Sequence, residues 1–208
     1  MIGSKIKVFF FDFDGTLVDS VPILRIAYFA LLKDRGFEGS EEEFQKLNGV
    51  NRKEIIHTLK TTYPIEESEE ELENQFTNEL KRIYAEEIKL YPGVQEVLRC
   101  AYQKHFRLYI VTSASVELVS ALLEKFRIRH FFQKIISADG LTNGKPHPEI
   151  YKNALKVATC YPDEVIAFED SQNGIRSATA AGITARQIRT PSDWHQVLQE
   201  LNTRDEER

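Results

Sequence analysis

Cysteine is scarce: Cys100 and Cys160 are the only two in 208 residues, and without a C-x-x-C spacing they build neither a disulfide framework nor a thiolate zinc site. The five histidines, His57, His105, His130, His147 and His195, are scattered, so zinc or histidine-based catalysis has no cluster to start from. Long apolar runs are missing as well. The longest early one, Ile6 to Phe11, is interrupted by Lys7 and followed at once by acidic residues, whereas a membrane span takes ~20 apolar residues. Nor is there an excess of positive charge: 27 basic against 32 acidic residues leave −5, which disfavours binding that works by neutralising many nucleic-acid phosphates. Internal repeats are absent. What remains, 42% hydrophobic and 28% charged, is a composition that folds around its own core without staples. The expected setting is a reducing cytoplasm, with neither nucleic acid nor membrane as partner.

Along the chain, Val8-Phe9-Phe10-Phe11 is short, aromatic and β-branched and stops abruptly at Asp12-Phe13-Asp14-Gly15, the pattern of a buried strand ending in a polar loop. From Asp19 to about Glu87 the period changes. Ile23, Leu24, Ala27, Tyr28, Leu31 and Leu32 recur at helical spacing, and the segments Ile55–Leu59 and Leu72–Tyr84 do likewise. Tyr91-Pro92-Gly93 breaks this pattern. Helices are then predicted at about Val94–Ala101, Val116–Lys125, Pro148–Ala158 and Asn173–Ala181, alternating with strands at Leu108–Val111, Lys134–Ser137, Val165–Phe168 and Thr184–Ile188. Such alternation implies a parallel sheet covered on both faces. The helical stretch 19–87 far exceeds the ~12–15 residues of a long loop, so it reads as an insert within a βα core, with a cleft between the two parts.

In an open parallel sheet, ligands bind outside the carboxyl ends of the strands, so the polar residues that follow each apolar run should converge. These are Asp12 and Asp14 with the permissive Gly15, the hydroxyls Thr112 and Ser113, Lys145 within Gly144-Lys145-Pro146, and the carboxylates Glu169 and Asp170. Four carboxylates meeting in one place repel unless a cation sits among them, and an all-oxygen set completed by waters and a substrate phosphate suits Mg²⁺. Phosphoryl chemistry is the expectation.

The same residues carry a resemblance. Asp12-Phe13-Asp14-Gly15-Thr16-Leu17-Val18-Asp19-Ser20, Thr112-Ser113, Lys145 and Glu169-Asp170-Ser171 resemble, in order, the four motifs of the haloacid dehalogenase-like hydrolase superfamily. The insert resembles the helical cap of the branch that holds sugar-phosphate phosphatases, phosphoglycolate phosphatases and β-phosphoglucomutases. The resemblance implies an α/β fold with a Rossmann-like three-layer parallel-sheet core, residues 1–18 and 88–208, and an inserted all-helical cap domain, residues 19–87. It implies that Asp12 is the nucleophile and forms an aspartyl-phosphate, and that Asp14 is the general acid and base. Thr112, Ser113 and Lys145 would bind the substrate phosphate, with Ser113 favoured over Thr112 as the motif hydroxyl. Asp12, the Asp14 backbone carbonyl, Glu169 and Asp170 would hold Mg²⁺. Arg52, in Asn48-Gly49-Val50-Asn51-Arg52, resembles a cap specificity residue.

Other polar residues have simpler readings. Asp19 and Ser20 fit a helix N-cap, Ser171 either a cap or the metal shell, and the Glu66–Glu71 run a solvated first helical turn. The activity expected is Mg²⁺-dependent hydrolysis of a small, sugar-like phosphomonoester. The alternative is a phosphomutase of the β-phosphoglucomutase type, which must also grip a second phosphate. Those enzymes generally carry Lys-Asn shortly after the second motif, where Ser115-Val116-Glu117 stands here, and an anionic Glu117 would repel that phosphate.

Overall fold

The structure, a computed structural model, describes residues 2–204 apart from 48, 49 and 51. Five strands, β1 (Val8–Phe11), β2 (Arg107–Thr112), β3 (Phe132–Ser137), β4 (Val165–Glu169) and β5 (Thr184–Gln187), form one parallel sheet in the order β3-β2-β1-β4-β5. The earliest strand therefore lies in the middle. The chain runs from it to β2 on one side and later returns to β4 on the other, so the carboxyl end of β1 is the switch point where such sheets open a crevice.

Alternation along β1 sorts its side chains between two cores. Phe9 and Phe11 face α5 (Val94–Gln103) and α9 (Pro191–Thr203), where Phe9 stacks on Phe106 at 4.3 Å and Phe11 on Phe168 at 5.1 Å, with Trp194 beside them. Val8 and Phe10 face Ile150, Tyr151 and Ala154 of α7 (Glu149–Ala158) and Ala178 of α8 (Gln172–Ala180). All four β1 side chains are fully buried, each phenyl contributing about 1.5–3 kcal/mol relative to exposure. The remaining core helix is α6 (Val116–Lys125), capped by Ser115. No helix among the described residues is long and apolar enough to cross a membrane.

The segment between β1 and α5 carries α1 (Val21–Lys33), α2 (Glu41–Leu47), α3 (Arg52–Thr62) and α4 (Glu69–Glu87), and no strand among its described residues. Its buried residues, among them Tyr28, Phe44, Ile56, Leu59, Leu72 and Phe76, are continuous with the core that holds Phe9 and Phe11. The acidic run behaves as a helix start: Ser68 and Glu71 close a capping box at the head of α4, and Glu67 pairs with Arg35 at 2.7 Å. The two chain crossings into this segment lie side by side. Val18 bridges Leu90 in antiparallel fashion, Asp19 N–H donates to the Lys89 carbonyl at 3.0 Å, and Tyr91 N–H to that of Leu17 at 3.0 Å.

α9 was not anticipated, and α2 falls within the stretch 19–87 that reads as all helix without being singled out there. Both carry a legible start signal, Ser40 with Glu43 and Thr190 with Asp193, whose side chains and backbone N–H groups satisfy one another. Strand and helix limits elsewhere differ from expectation by a residue or two, as fraying ends do.

Candidate active site

Asp12 follows β1 directly, and its N–H still donates to the Phe168 carbonyl at 2.9 Å, so the last sheet hydrogen bond fixes the backbone from which its carboxylate projects. That carboxylate is only 6% exposed. Lys145, 1% exposed, places its ammonium 2.7 Å from Asp12 Oδ1, 2.5 Å from Glu169 Oε1 and 3.3 Å from the Val111 carbonyl oxygen. Three donors thus meet three acceptors. Burial alone would lower the lysine pKa, but the paired charges of Asp12 and Glu169 raise it. Lys145 is therefore an ammonium, whereas burial pushes the Asp12 and Glu169 carboxyls upward against the pull of that same ammonium. The sequence reading placed Lys145 at the phosphate; in this structure its ammonium lies against the nucleophile candidate and Glu169, as a buried ammonium must pair with the anions the fold provides.

Beyond Asp12 the chain turns sharply. Gly15 has φ of +72°, and a Cβ there would stand 2.3 Å from Asp170 Oδ2, so only glycine lets the loop and Asp170 approach. Its N–H donates to Ser20 Oγ at 3.0 Å. Ser20 thus occupies the N-cap position of α1 without capping it; its buried hydroxyl braces the catalytic loop instead. Asp14 accepts a 2.8 Å hydrogen bond at Oδ1 from the hydroxyl of Tyr84, on α4. Burial raises the Asp14 carboxyl above its ordinary value and the Asp12 charge adds to this, against the hydroxyls of Ser20 and Tyr84.

Asp12, Glu169 and Asp170 offer oxygens that lie within 4.8 Å of one another. Glu169 Oε2 is buried with no hydrogen-bond partner, and it presses so closely on α8 that a Cβ on Gly174 would lie 1.9 Å away. Three carboxylates stand beside the Lys145 ammonium, and one of their oxygens, Glu169 Oε2, is left without a hydrogen-bond partner. That donor set, hard oxygen only, fits a divalent cation of the Mg²⁺ type. Ser171 caps α8, its Oγ accepting from Gly174 N–H at 3.0 Å.

A cavity of about 80 Å³ opens beside Asp12 and Asp14. Thr112, Ser113 and Arg52 line it too. Thr112 Oγ1 accepts from Ala114 N–H at 3.0 Å, closing the turn after β2, while half-buried Ser113 sits on the wall. Arg52, the first residue of α3, donates to Thr77 Oγ1 at 3.0 Å. Of the segment that carried its expected role, Asn48, Gly49 and Asn51 lie outside the described residues. The sequence reading missed Tyr84 and Tyr151, whose hydroxyl donates to Glu169 Oε1, and took Ser20 for a helix cap. Tyr84 and Tyr151 sit at ordinary core positions of helix patterns, so no local signal marks them.

Comparison with known proteins agrees with this geometry. The pattern of the haloacid dehalogenase-like hydrolases matches residues 9–188. The chain is 32% identical over 173 residues to a phosphorylated carbohydrates phosphatase of Thermotoga maritima, covering 83% of this chain and 80% of that one. It is 30% identical to a phosphoglycolate phosphatase of Mannheimia succiniciproducens, covering 88% and 86%. CbbY from Rhodobacter sphaeroides, solved in complex with phosphate, superposes with a TM-score of 0.77 at 29% identity over 86% of this chain and 84% of that one. A β-phosphoglucomutase from Clostridium difficile shares the fold, with a TM-score of 0.81 at 22% identity over 98% and 100%.

Proposed function

This chain belongs to the haloacid dehalogenase-like hydrolases and is a phosphoric monoester hydrolase of that family, and from that premise we propose that it is a Mg²⁺-dependent phosphatase of small phosphorylated metabolites working through an aspartyl-phosphate on Asp12. One observation carries the reading. Asp12 and Asp14 open onto the same cavity, with the first carboxylate gripped by a buried ammonium and the second hydrogen-bonded by Tyr84.

Lys145 holds Asp12 Oδ1, so the other carboxylate oxygen attacks phosphorus in line with the leaving alcohol. As the P–O bond to that alcohol breaks, Asp14 passes its proton to the alkoxide; the raised pKa that burial gives it keeps that proton available. In the second step Asp14, now a carboxylate, takes a proton from water, which attacks the aspartyl-phosphate, releases phosphate and restores Asp12. The hydroxyls and backbone N–H groups of Thr112 and Ser113, with Lys145 behind Asp12, position the equatorial oxygens, whose charge is spread in a loose transition state. When bound to Asp12, the Asp14 carbonyl, Glu169 and Asp170, Mg²⁺ supplies neutralisation of the repulsion between nucleophile and phosphate.

Residues 19–87 act as the cap over a core formed by 1–18 and 88–208, and the paired crossings at Leu17–Asp19 and Lys89–Tyr91 are its hinge. Arg52 contributes to the choice of substrate. The setting proposed is the cytoplasm, with a small phosphorylated metabolite rather than nucleic acid or a membrane as the partner. The mutase alternative is less favoured because, among the described residues, Arg52 is the one basic side chain lining the cavity that could grip a second phosphate. A panel of phosphorylated metabolites with Mg²⁺, read for free phosphate and for isomerised product, tests the reading, together with mass-spectrometric detection of phosphate on Asp12. Asp12→Asn should abolish turnover; retention of more than ~1% of kcat would refute covalent catalysis, since loss of a nucleophile costs orders of magnitude.

A further inference from the structure

Resting on that phosphatase reading, we infer that Tyr84 is a positioning residue for Asp14: through its hydroxyl the helical insert fixes which oxygen of the acid carries the transferred proton. The observation starts in the sequence of α4. Leu72, Phe76, Leu80 and Tyr84 recur at every fourth position, which sets them in one row along the helix, and all four are buried. Three of them are hydrocarbon. The fourth brings a hydroxyl into an apolar row, where phenylalanine would fill the same space and leave no polar group to satisfy. That hydroxyl is given to Asp14 Oδ1 at 2.8 Å, 70 residues earlier in the chain.

The insert braces Asp14 at both of its crossings. Tyr84 lies in the last turn of α4, just ahead of the crossing at Lys89–Tyr91, and its carbonyl accepts from the Lys125 ammonium of α6 at 3.5 Å, which ties the same residue to the core. At the other crossing Ser20 Oγ holds the Gly15 N–H at 3.0 Å and so steadies the backbone next to Asp14. Ser20 fixes the main chain, Tyr84 the side chain. A phenol has one hydrogen to donate, and the oxygen that accepts it acts as the carbonyl oxygen of the acid. Oδ1 is therefore held, and Oδ2 carries the proton. With rotation about Cβ–Cγ arrested, that proton passes from Oδ2 to the alkoxide, and Oδ2 later takes one back from the attacking water, while Tyr84 keeps its own hydrogen throughout.

The test is a double-mutant cycle. With Mg²⁺ present, kcat and KM are measured for wild type, Tyr84→Phe, Asp14→Asn and the double variant. The substrates are phosphoglycolate and a pentose 5-phosphate, whose alkoxides need a proton, and p-nitrophenyl phosphate, whose phenolate needs little. Loss of a hydrogen bond to a carboxylate should lower kcat/KM for the alkyl esters by about ten- to a hundredfold, and for the aryl ester by less than about threefold. The loss should fall on kcat and hardly on KM, because the hydroxyl is held by Asp14 and not by substrate. In the Asp14→Asn background Tyr84→Phe should change kcat/KM by less than about threefold, since residues that act as a unit are not additive. Equal loss on both ester classes, or losses that multiply in the double variant, would overturn the positioning role and leave Tyr84 as packing within the insert. If Tyr84→Phe fails to fold, Tyr84→Leu, which repeats Leu72 and Leu80 of its row, carries the same comparison. A wild type that cleaves the aryl ester and neither alkyl ester would show no acid at work and would overturn the inference alone. Failure on all three substrates would overturn the phosphatase reading and this inference with it.

Discussion

Replacing Lys145 by Met keeps the length and apolar bulk of the side chain but deletes the one ammonium between Asp12 and Glu169. Its contacts of 2.7 and 2.5 Å are shielded from water, with the lysine 1% exposed and Glu169 0%. At an effective dielectric of ~20, each such pair is worth about 6–7 kcal/mol of Coulomb energy before desolvation. Much of this is offset, because the variant no longer desolvates a lysine. Breaking a buried pair from one side costs about 3–5 kcal/mol, and here one ammonium serves two carboxylates, which places the loss toward the upper end. For a chain of this size that corresponds to a melting shift of roughly 6–20 °C, at about 2–4 °C per kcal/mol. The sign with pH follows from the carboxyls. Without their counter-ion they are pushed further upward in the folded state, so the folded variant prefers them protonated and loses stability as pH rises from the unfolded carboxylate pKa of ~4. Thermal and urea denaturation between pH 5 and 8 in chelator, repeated with Mg²⁺, reads this out. Mg²⁺ should raise the melting temperature of the variant more than that of the wild type, because it binds a folded state with more uncompensated negative charge. A loss below about 1 kcal/mol at pH 8, or one that shrinks as pH rises, would refute the counter-ion role.

Three further outcomes are expected. Asp14→Asn should slow the loss of poor leaving groups by ~10²–10⁴ and an aryl phosphate much less, seen as a steeper dependence of kcat/KM on leaving-group pKa; equal damage to both removes Asp14 as the acid. Gly174→Ala drives a methyl group into Glu169 Oε2, so it should cost about 1–3 kcal/mol in urea unfolding and weaken Mg²⁺ binding by calorimetry; wild-type values in both would show that Glu169 moves aside freely. Arg52→Ala should raise KM for a preferred substrate more than for acetyl phosphate, which leaves the cap little to hold; equal loss on both, or none, returns Arg52 to a structural role with Thr77.

Much of the fold was legible locally. The run Val8–Phe11 ending in Asp-x-Asp-Gly marks a buried strand and its polar exit because the pattern lies within eight neighbouring residues, and each later strand announces itself in the same way. The insert was legible for the same reason, since helical period is a property of near neighbours. So were the residues of the site as a set: the fold rule that gathers strand ends names Asp12, Asp14, Thr112, Ser113 and Asp170 without any coordinates. Even α2 and α9 carry their capping boxes in plain view.

Tertiary structure alone decided the partners. Lys145 reads as a phosphate-binding site residue, but its partners Asp12 and Glu169, 133 and 24 residues away along the chain, follow only from packing. Tyr84 is one more apolar-period residue of α4 until its hydroxyl meets Asp14, 70 residues earlier. Leu24, Phe44 and Leu80 have the spacing of ordinary core positions, and only the gap left between insert and sheet makes them walls of the cavity beside Asp12 and Asp14. The physical division is one of range. Backbone propensity, alternation and capping depend on residues a few positions apart, whereas charge pairing and cavity shape depend on how whole helices and the sheet pack, which no short window of the chain contains.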